Sequence, residues 1–302
     1  MKDHGFKAFH RRGRPAPDAR PGNERDGAEL PAGQSCPEPS EVAPAAAFAA
    51  EPQLPAHLPE LWERIPLAAS AVTSASGAQN AVRLPLVSRF RQDPAVKAFD
   101  LLRTRLLHTL KARGWKRVAV TAPASSCGTT FSAVNLALSL ARVPGSRTLL
   151  MDMNFRRPGL AAALGIAPEG TVAQGWNQAA FLAGRTAAEA HLRRPLPGLA
   201  VGLNSHPGLD AAEILHDSAC AATLDRLIER SRADVALFDL PPVLEHDDVA
   251  AFLPQVDAVL LISDGTGTTA AELAACEKML AGHTQLLGVA LNRARRAAGP
   301  MG

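Results

Sequence analysis

The sequence predicts an α/β fold: a doubly wound, mostly parallel sheet with helices on both faces. Three observations predict it. Short, near-continuous apolar runs recur between residues 117 and 292, as strands buried on both faces require. Segments with apolar residues at helical spacing separate those runs, the pattern of strand–helix units that build a parallel sheet. Hydrophobic residues make up 47% of the 302, enough to line two apolar layers.

Twelve of the 24 prolines fall within residues 1–90, among Ala-rich and Gly-rich runs of mixed charge. Such a segment buries too little apolar surface to offset its ordering entropy. Residues 1–85 are therefore expected to be a disordered Pro/Ala-rich extension. Within it, Leu54–Leu67 gathers leucines around Trp62; the expectation is a transient helical turn, and the alternative is a short docking motif. The folded domain is expected over residues 86–296, with 297–302 as a short tail. Ala95–Ala112 opens it, with Ala98, Leu101, Leu102, Leu106, Leu107 and Leu110 at helical spacing. Arg117–Thr121 reads as the first strand, Ala122–Thr130 as a loop of small residues, and Phe131–Arg142 as an apolar helix. Further strands are expected at Thr148–Met153, Leu199–Leu203, Val235–Asp239, Ala258–Ser263 and Leu287–Asn292. Helices are expected at Ala211–Arg230, Asp247–Leu253 and Thr269–Leu280.

A net charge of +3 argues against nucleic acid as the main partner. Cys36, Cys127, Cys220 and Cys276 lie far apart without metal-ligand spacing and read as reduced thiols of a cytosolic protein. No stretch has the length and apolarity of a membrane span. A cytosolic location is expected, and any membrane role must go through a partner.

Strand, small-residue loop and helix in that order is the setting of the phosphate loop G-x-x-x-x-G-K-[ST], whose backbone N–H groups face an anion at a helix N-terminus. The loop here reads Ala122-Pro-Ala-Ser-Ser-Cys-Gly-Thr-Thr130, after Thr121 and before Asn135-Leu-Ala137. The second strand ends in Asp152-Met-Asn-Phe-Arg-Arg-Pro-Gly-Leu160. A later one runs Val235-Ala-Leu-Phe-Asp-Leu-Pro-Pro-Val-Leu244 and is followed by Asp248; the last ends in Leu291-Asn-Arg293. Leu209-Asp-Ala-Ala-Glu-Ile-Leu215 lies between them. Over residues 94–296 this series resembles the bacterial tyrosine autokinases of capsule and exopolysaccharide synthesis, relatives of the MinD/ParA P-loop NTPases, in a degenerate form.

The resemblance implies ATP or ADP and Mg²⁺ as cofactors. It implies nucleotide-binding positions at Gly128, Thr129, Thr130, Arg156 and Asn292, and Mg²⁺ positions at Thr130, Asp152 and Asp239. Asp152, Asn154 and Asp239 occupy the catalytic positions. The departures weigh against catalysis. Thr129 stands where the family has the loop lysine, Ala124 where the MinD/ParA group has a second one, and Ser126 where it has a glycine. Loss of one preorganised donor costs about 3–4 kcal/mol in phosphoryl transfer. Asn154 replaces a carboxylate and, as an amide, accepts no proton from an attacking hydroxyl. The sequence contains no tyrosine, so it offers no tyrosine acceptor of its own. Arg156 and Arg157 read either as phosphate ligands or as partners of carboxylates.

Lys97, Asp100 and Arg103 match the family's subunit-contact positions with two charges reversed. They are expected to form a solvated stripe, with a re-matched interface in a homo- or hetero-oligomer as the alternative. Cys127 is expected to fill space in the loop, and Arg293, Arg295 and Arg296 to form a solvated charged end. The expected function is that of a catalytically impaired relative, a regulatory or assembly partner of the cytoplasmic segment of an inner-membrane polysaccharide co-polymerase. The alternatives are a weak ATP-binding kinase or ATPase of the same pathway, and a MinD/ParA-like positioning ATPase.

Overall fold

The computed structural model describes residues 60–68, 87, 92–167, 175–208 and 210–294, all within the unit Pro55–Gly302. Cys36, the remainder of the expected extension and the tail 297–302 lie outside the described residues. The elements are α1 (Leu61–Arg64), α2 (Pro94–Arg113), β1 (Arg117–Thr121), α3 (Thr129–Leu140), β2 (Thr148–Asp152), α4 (Leu160–Leu164), α5 (Gln178–Leu182) and α6 (Ala188–His191). After them come β3 (Leu192–Leu196), β4 (Leu199–Gly202), α7 (Ala211–His216), α8 (Ser218–Ser231), β5 (Val235–Asp239) and α9 (Asp248–Phe252), which runs into a 3₁₀ turn at Leu253–Gln255. The series ends with β6 (Ala258–Asp264), α10 (Ala270–Leu280) and β7 (Gln285–Asn292).

The seven strands lie in the order β3-β4-β2-β5-β1-β6-β7. All neighbours pair parallel except β3 with β4. Successive residues of each strand feed opposite layers, as the pleat demands. Ala119, Leu149, Met151, Ala236 and Phe238 join one buried cluster. Val118, Val120, Leu150, Val235 and Leu237 join the other. From β1 the chain moves one way, through α3, to β2 and β4; from β5 it moves the other way to β6 and β7. Open parallel sheets bind their ligands at the C-terminal strand ends beside such a reversal.

Local signals explain the helix limits. Pro94 opens α2, the Asp93 carboxylate accepts from the Ala95 N–H at 2.7 Å, and left-handed Gly114 (φ 67°) closes it. The expected single helix Ala211–Arg230 is instead two. Asp217 takes an extended conformation and caps α8 through the Ala219 N–H at 2.9 Å, so a side-chain cap overrides the continuing apolar pattern. Strand β3 was not expected. It carries Pro195, which an edge strand tolerates, and two arginines that hide its alternation.

Two expectations are corrected here. Residues 60–68 are not a disordered stretch: Leu61, Trp62 and Ile65 are buried against the sheet's core. The charged stripe on α2 is also not solvated throughout. Lys97 is exposed, but Asp100 pairs with Arg103 and Arg142 and accepts from the Ser139 hydroxyl at 2.6 Å. Arg103 in turn donates to the Ser139 carbonyl at 3.1 Å. The charges clamp α2 onto the C-terminal turn of α3, where free carbonyls favour cations.

His191 is buried beside β3. It stacks on Phe181 with centroids 4.6 Å apart, and its Nε2 lies 2.6 Å from Gln178 Oε1. Burial, helped by nearby Arg193, lowers its pKa from 6.5 to about 4. The imidazole therefore stays neutral in the fold while the unfolded chain takes up a proton. Its stability contribution is whole above pH 6.5 and is lost as pH falls toward 4, about 3 kcal/mol in all. Denaturant titrations should show that His191→Gln lacks this acid loss while matching wild type more closely above pH 7.

Candidate functional site

The C-terminal ends of β1, β2 and β5 bring the expected site residues together. The loop after β1 opens α3, whose N-terminal residue Gly128 supplies no side-chain cap. The first N–H groups of α3 therefore stay open to an acceptor. The loop keeps the shape a phosphate loop needs despite its altered composition. Ser126, at the lost glycine, still adopts φ 72°, and Gly128 has φ 89°. A Cβ at Gly128 would stand 2.3 Å from the Asn292 amide nitrogen, so side chains are excluded there by space as well as by conformation.

A cavity of about 230 Å³ lies over this loop. Gly128, Thr129 and Thr130 form its floor, with Asn154, Arg156 and Arg157 on one side and Glu245 and His246 on the other. Thr129 sits at the position of the family's lysine. The Asn154 side chain accepts from the Arg157 N–H at 3.0 Å, a local side-chain-to-backbone bond that holds the chain after β2.

Asp152 and Asp239 are register partners across β2 and β5, and both are fully buried. They lie beneath the cavity and do not form its walls. Asp152 accepts from the N–H groups of Gly159 at 3.0 Å, Leu160 at 3.1 Å and Asn154 at 3.3 Å, which ties it to the start of α4. Neither carboxylate oxygen of Asp239 has a hydrogen-bond partner; the Thr130 side chain faces it and lowers its pKa only in part. Burial pushes Asp152 up to about 7 against the pull of its three backbone N–H groups. Burial first, and then the charge of Asp152, raises Asp239 well above the ordinary carboxylate range. Buried and in register, the two acids do not titrate independently.

Arg156 is committed elsewhere. Its Nε and Nη2 fork onto Asp248 at 2.8 and 2.9 Å, and Asp248 is fully buried. The carboxylate-partner reading of this arginine therefore describes its geometry, although the stem still edges the cavity. Arg157 is exposed. Asn292 does not line the cavity. It lies behind the loop and donates to the Cys127 carbonyl at 2.8 Å, so it supports the loop's back. Cys127 is buried, as a space-filling role requires. Asn135 joins Val87 to α3, accepting from the Val87 N–H at 3.1 Å and donating to the Phe131 carbonyl at 2.8 Å. Sequence reasoning missed Glu245. Its carboxylate accepts from both the N–H and the hydroxyl of loop residue Ser125.

No protein-family model matches the chain. EpsB of Ralstonia solanacearum, named as a tyrosine-protein kinase, is 30% identical over 199 residues, covering 65% of this chain and 25% of its own length. The succinoglycan biosynthesis transport protein ExoP of Rhizobium meliloti (strain 1021) is 29% identical over 180 residues, 58% of this chain and 22% of its own. The chain thus spans about a quarter of the curated relatives it matches. Among solved structures, the BceF tyrosine kinase domain superposes with a TM-score of 0.59 at 27% identity, over 70% of this chain and 82% of that one. The loop, the paired acids and these likenesses converge: the chain carries a P-loop NTPase-type domain homologous to the bacterial tyrosine kinase domains of polysaccharide biosynthesis.

Proposed function

We propose that this domain acts as a catalytically impaired partner in polysaccharide production, docking on the cytoplasmic segment of an inner-membrane co-polymerase and regulating its assembly. One observation carries the reading: no cation stands on the loop where terminal phosphates would rest. Thr129 replaces the lysine, Arg156 is forked onto Asp248, exposed Arg157 stands on the cavity wall and not on the loop, and the charge bound to the loop is the Glu245 carboxylate. Phosphoryl transfer depends on preorganised positive charge at that point, and a neutral hydroxyl does not supply it.

The acids fit a divalent cation better than they fit an empty core. The unpartnered oxygens of buried Asp239 and the facing Thr130 hydroxyl form a hard oxygen set of the kind Mg²⁺ prefers, with Asp152 adding charge at one remove. Bound there, Mg²⁺ would neutralise the pair and shield nucleotide oxygens. The site therefore suits a nucleotide kept as a structural ligand, with turnover lost.

Two measurements test this. Purified protein with labelled ATP and Mg²⁺ should release phosphate no faster than an Asp239→Ala variant, while a membrane partner's cytoplasmic segment retains it. Thr129→Lys should tighten ATP binding by at least about tenfold, the scale of one charge-assisted contact. Wild-type turnover abolished by Asp239→Ala, or wild-type affinity equal to that of Thr129→Lys, would overturn the reading.

A further inference from the structure

We infer that Glu245 is an internal latch on the phosphate loop, its carboxylate fastened to Ser125 at the loop's edge and holding the cavity against anions until it is displaced. The inference rests on the proposed reading of this cavity as a seat for phosphates.

The latch is built, not adventitious. Both oxygens of Glu245 are engaged by one residue: the Ser125 N–H donates to Oε1 and the Ser125 hydroxyl to Oε2, the latter at 2.6 Å. The turn that carries Glu245 is fastened along the same strand and loop. Leu240 N–H donates to the Val120 carbonyl at 3.0 Å and Val243 N–H to the Ala122 carbonyl at 2.8 Å. The Thr121 hydroxyl donates to the Pro241 carbonyl at 2.6 Å, and the Glu245 N–H closes the turn on Pro242. Val243 is fully buried. The turn advances beside the loop residue by residue and delivers a carboxylate at its end.

Charge gives the latch its consequence. With Thr129 in place of lysine, the floor of the cavity has lost a positive charge, and Glu245 adds a negative one on the wall. A phosphate entering this space meets like charge on an exposed wall residue, a repulsion that solvent and the exposed Arg157 on the other wall moderate without removing. Burial raises the Glu245 pKa, but the two Ser125 hydrogen bonds, with His246 and Arg157 nearby, together bring it below the ordinary carboxylate value. It is therefore ionised at neutral pH. The loop's remaining donors stay available: Ser126 and Gly128 keep left-handed conformations, and the start of α3 is uncapped by any side chain. The seat is kept while its entrance is held by an anion of the chain's own.

Titration calorimetry of the full chain with Mg²⁺–pyrophosphate and Mg²⁺–ADP tests the latch. E245Q keeps an acceptor for Ser125 and removes the charge; it should bind pyrophosphate about tenfold more tightly than wild type or better. T129K/E245Q should exceed T129K by a similar factor. Ser125→Ala, which cuts one latch bond and leaves the charge, should give a smaller gain. Thermal melts establish that each variant is folded, and amide exchange at Ser125 should speed up in E245Q. Equal binding by E245Q and wild type, with T129K binding as well as T129K/E245Q, would overturn the latch and leave the phosphate seat standing. Failure of folded T129K/E245Q to bind either ligand would overturn the seat and the latch together.

Discussion

Asp239→Asn is expected to stabilise the domain at neutral pH by about 2–4 kcal/mol, a result opposite to that of most substitutions at a buried strand position. Asp239 is fully buried, its oxygens are unpartnered, and it sits in register with a second buried acid. Asp152 is raised to about 7 from an ordinary 3.8. A carboxyl raised in the fold contributes fully below its unfolded pKa and loses that contribution as pH climbs to the folded value. For Asp152 the window runs from about pH 4 to pH 7, and the shift of roughly three units corresponds to about 4 kcal/mol. An asparagine at 239 removes a group that burial and the charge of Asp152 keep protonated, and with it that group's own share of the slope, while the Asp152 slope, set by burial of its own carboxyl, remains. Urea titrations at pH 5 and pH 8 measure it, the gain appearing at pH 8. The His191 slope has the opposite sign over part of the same range, so Asp239→Asn should look flatter than wild type and His191→Gln steeper. Millimolar Mg²⁺ should stabilise wild type at pH 8 and leave Asp239→Asn unmoved. A variant less stable than wild type at pH 8 would make the acid pair a structural feature and remove the cation argument with it.

How far the sequence reached depended on whether a position answers to one layer of physics or to several. Runs such as Thr148–Asp152 and Val235–Asp239 are apolar on both faces because the sheet is covered on both, so the α/β class and most of its strands could be read directly. The Asp residues closing those two runs were legible through the family motifs they belong to, not through the apolar pattern. Where a side chain decides its own surroundings, the pattern misled. Asp217 breaks a helix whose apolar spacing continues past it. Arg156 stayed open between phosphate and carboxylate because its partner Asp248 is 92 positions away. Glu245 was invisible because nothing in Leu244-Glu-His246 announces contact with Ser125, 120 positions earlier; only the pairing of the turn with β1 places it there. Asn292 was read as a nucleotide position because Leu291-Asn-Arg293 resembles the family's last-strand motif. The structure turns it to the Cys127 carbonyl instead.

Trp62→Ala should cost about 3–5 kcal/mol, the scale of a buried aromatic replaced by alanine, although Trp62 lies where composition predicts no folded structure. The short helix α1 has four residues and no propensity to form alone; its stability comes from what it covers. The indole is 4% exposed, donates to the Pro197 carbonyl at 3.0 Å, and lies under the Arg147 guanidinium at 5.8 Å. Arg147 and Arg232 both reach back to Glu60 at 2.6 Å. Beyond the helix the chain bridges β3: Arg194 N–H donates to the Pro66 carbonyl at 2.8 Å and Ala68 N–H to the Arg194 carbonyl at 3.1 Å. Without this strap the edge strand, weakened by Pro195, would present unpaired backbone to solvent, a template for association. Trp62→Phe, which keeps the apolar bulk and loses the hydrogen bond, should cost only about 1 kcal/mol. Equilibrium unfolding followed by circular dichroism separates the two, and Trp62→Ala should also aggregate more readily when concentrated. A cost below about 1 kcal/mol for the alanine variant would mean that residues 60–68 only rest on the domain. The docking-motif reading, in which this segment serves a partner instead of its own sheet, would then gain the ground.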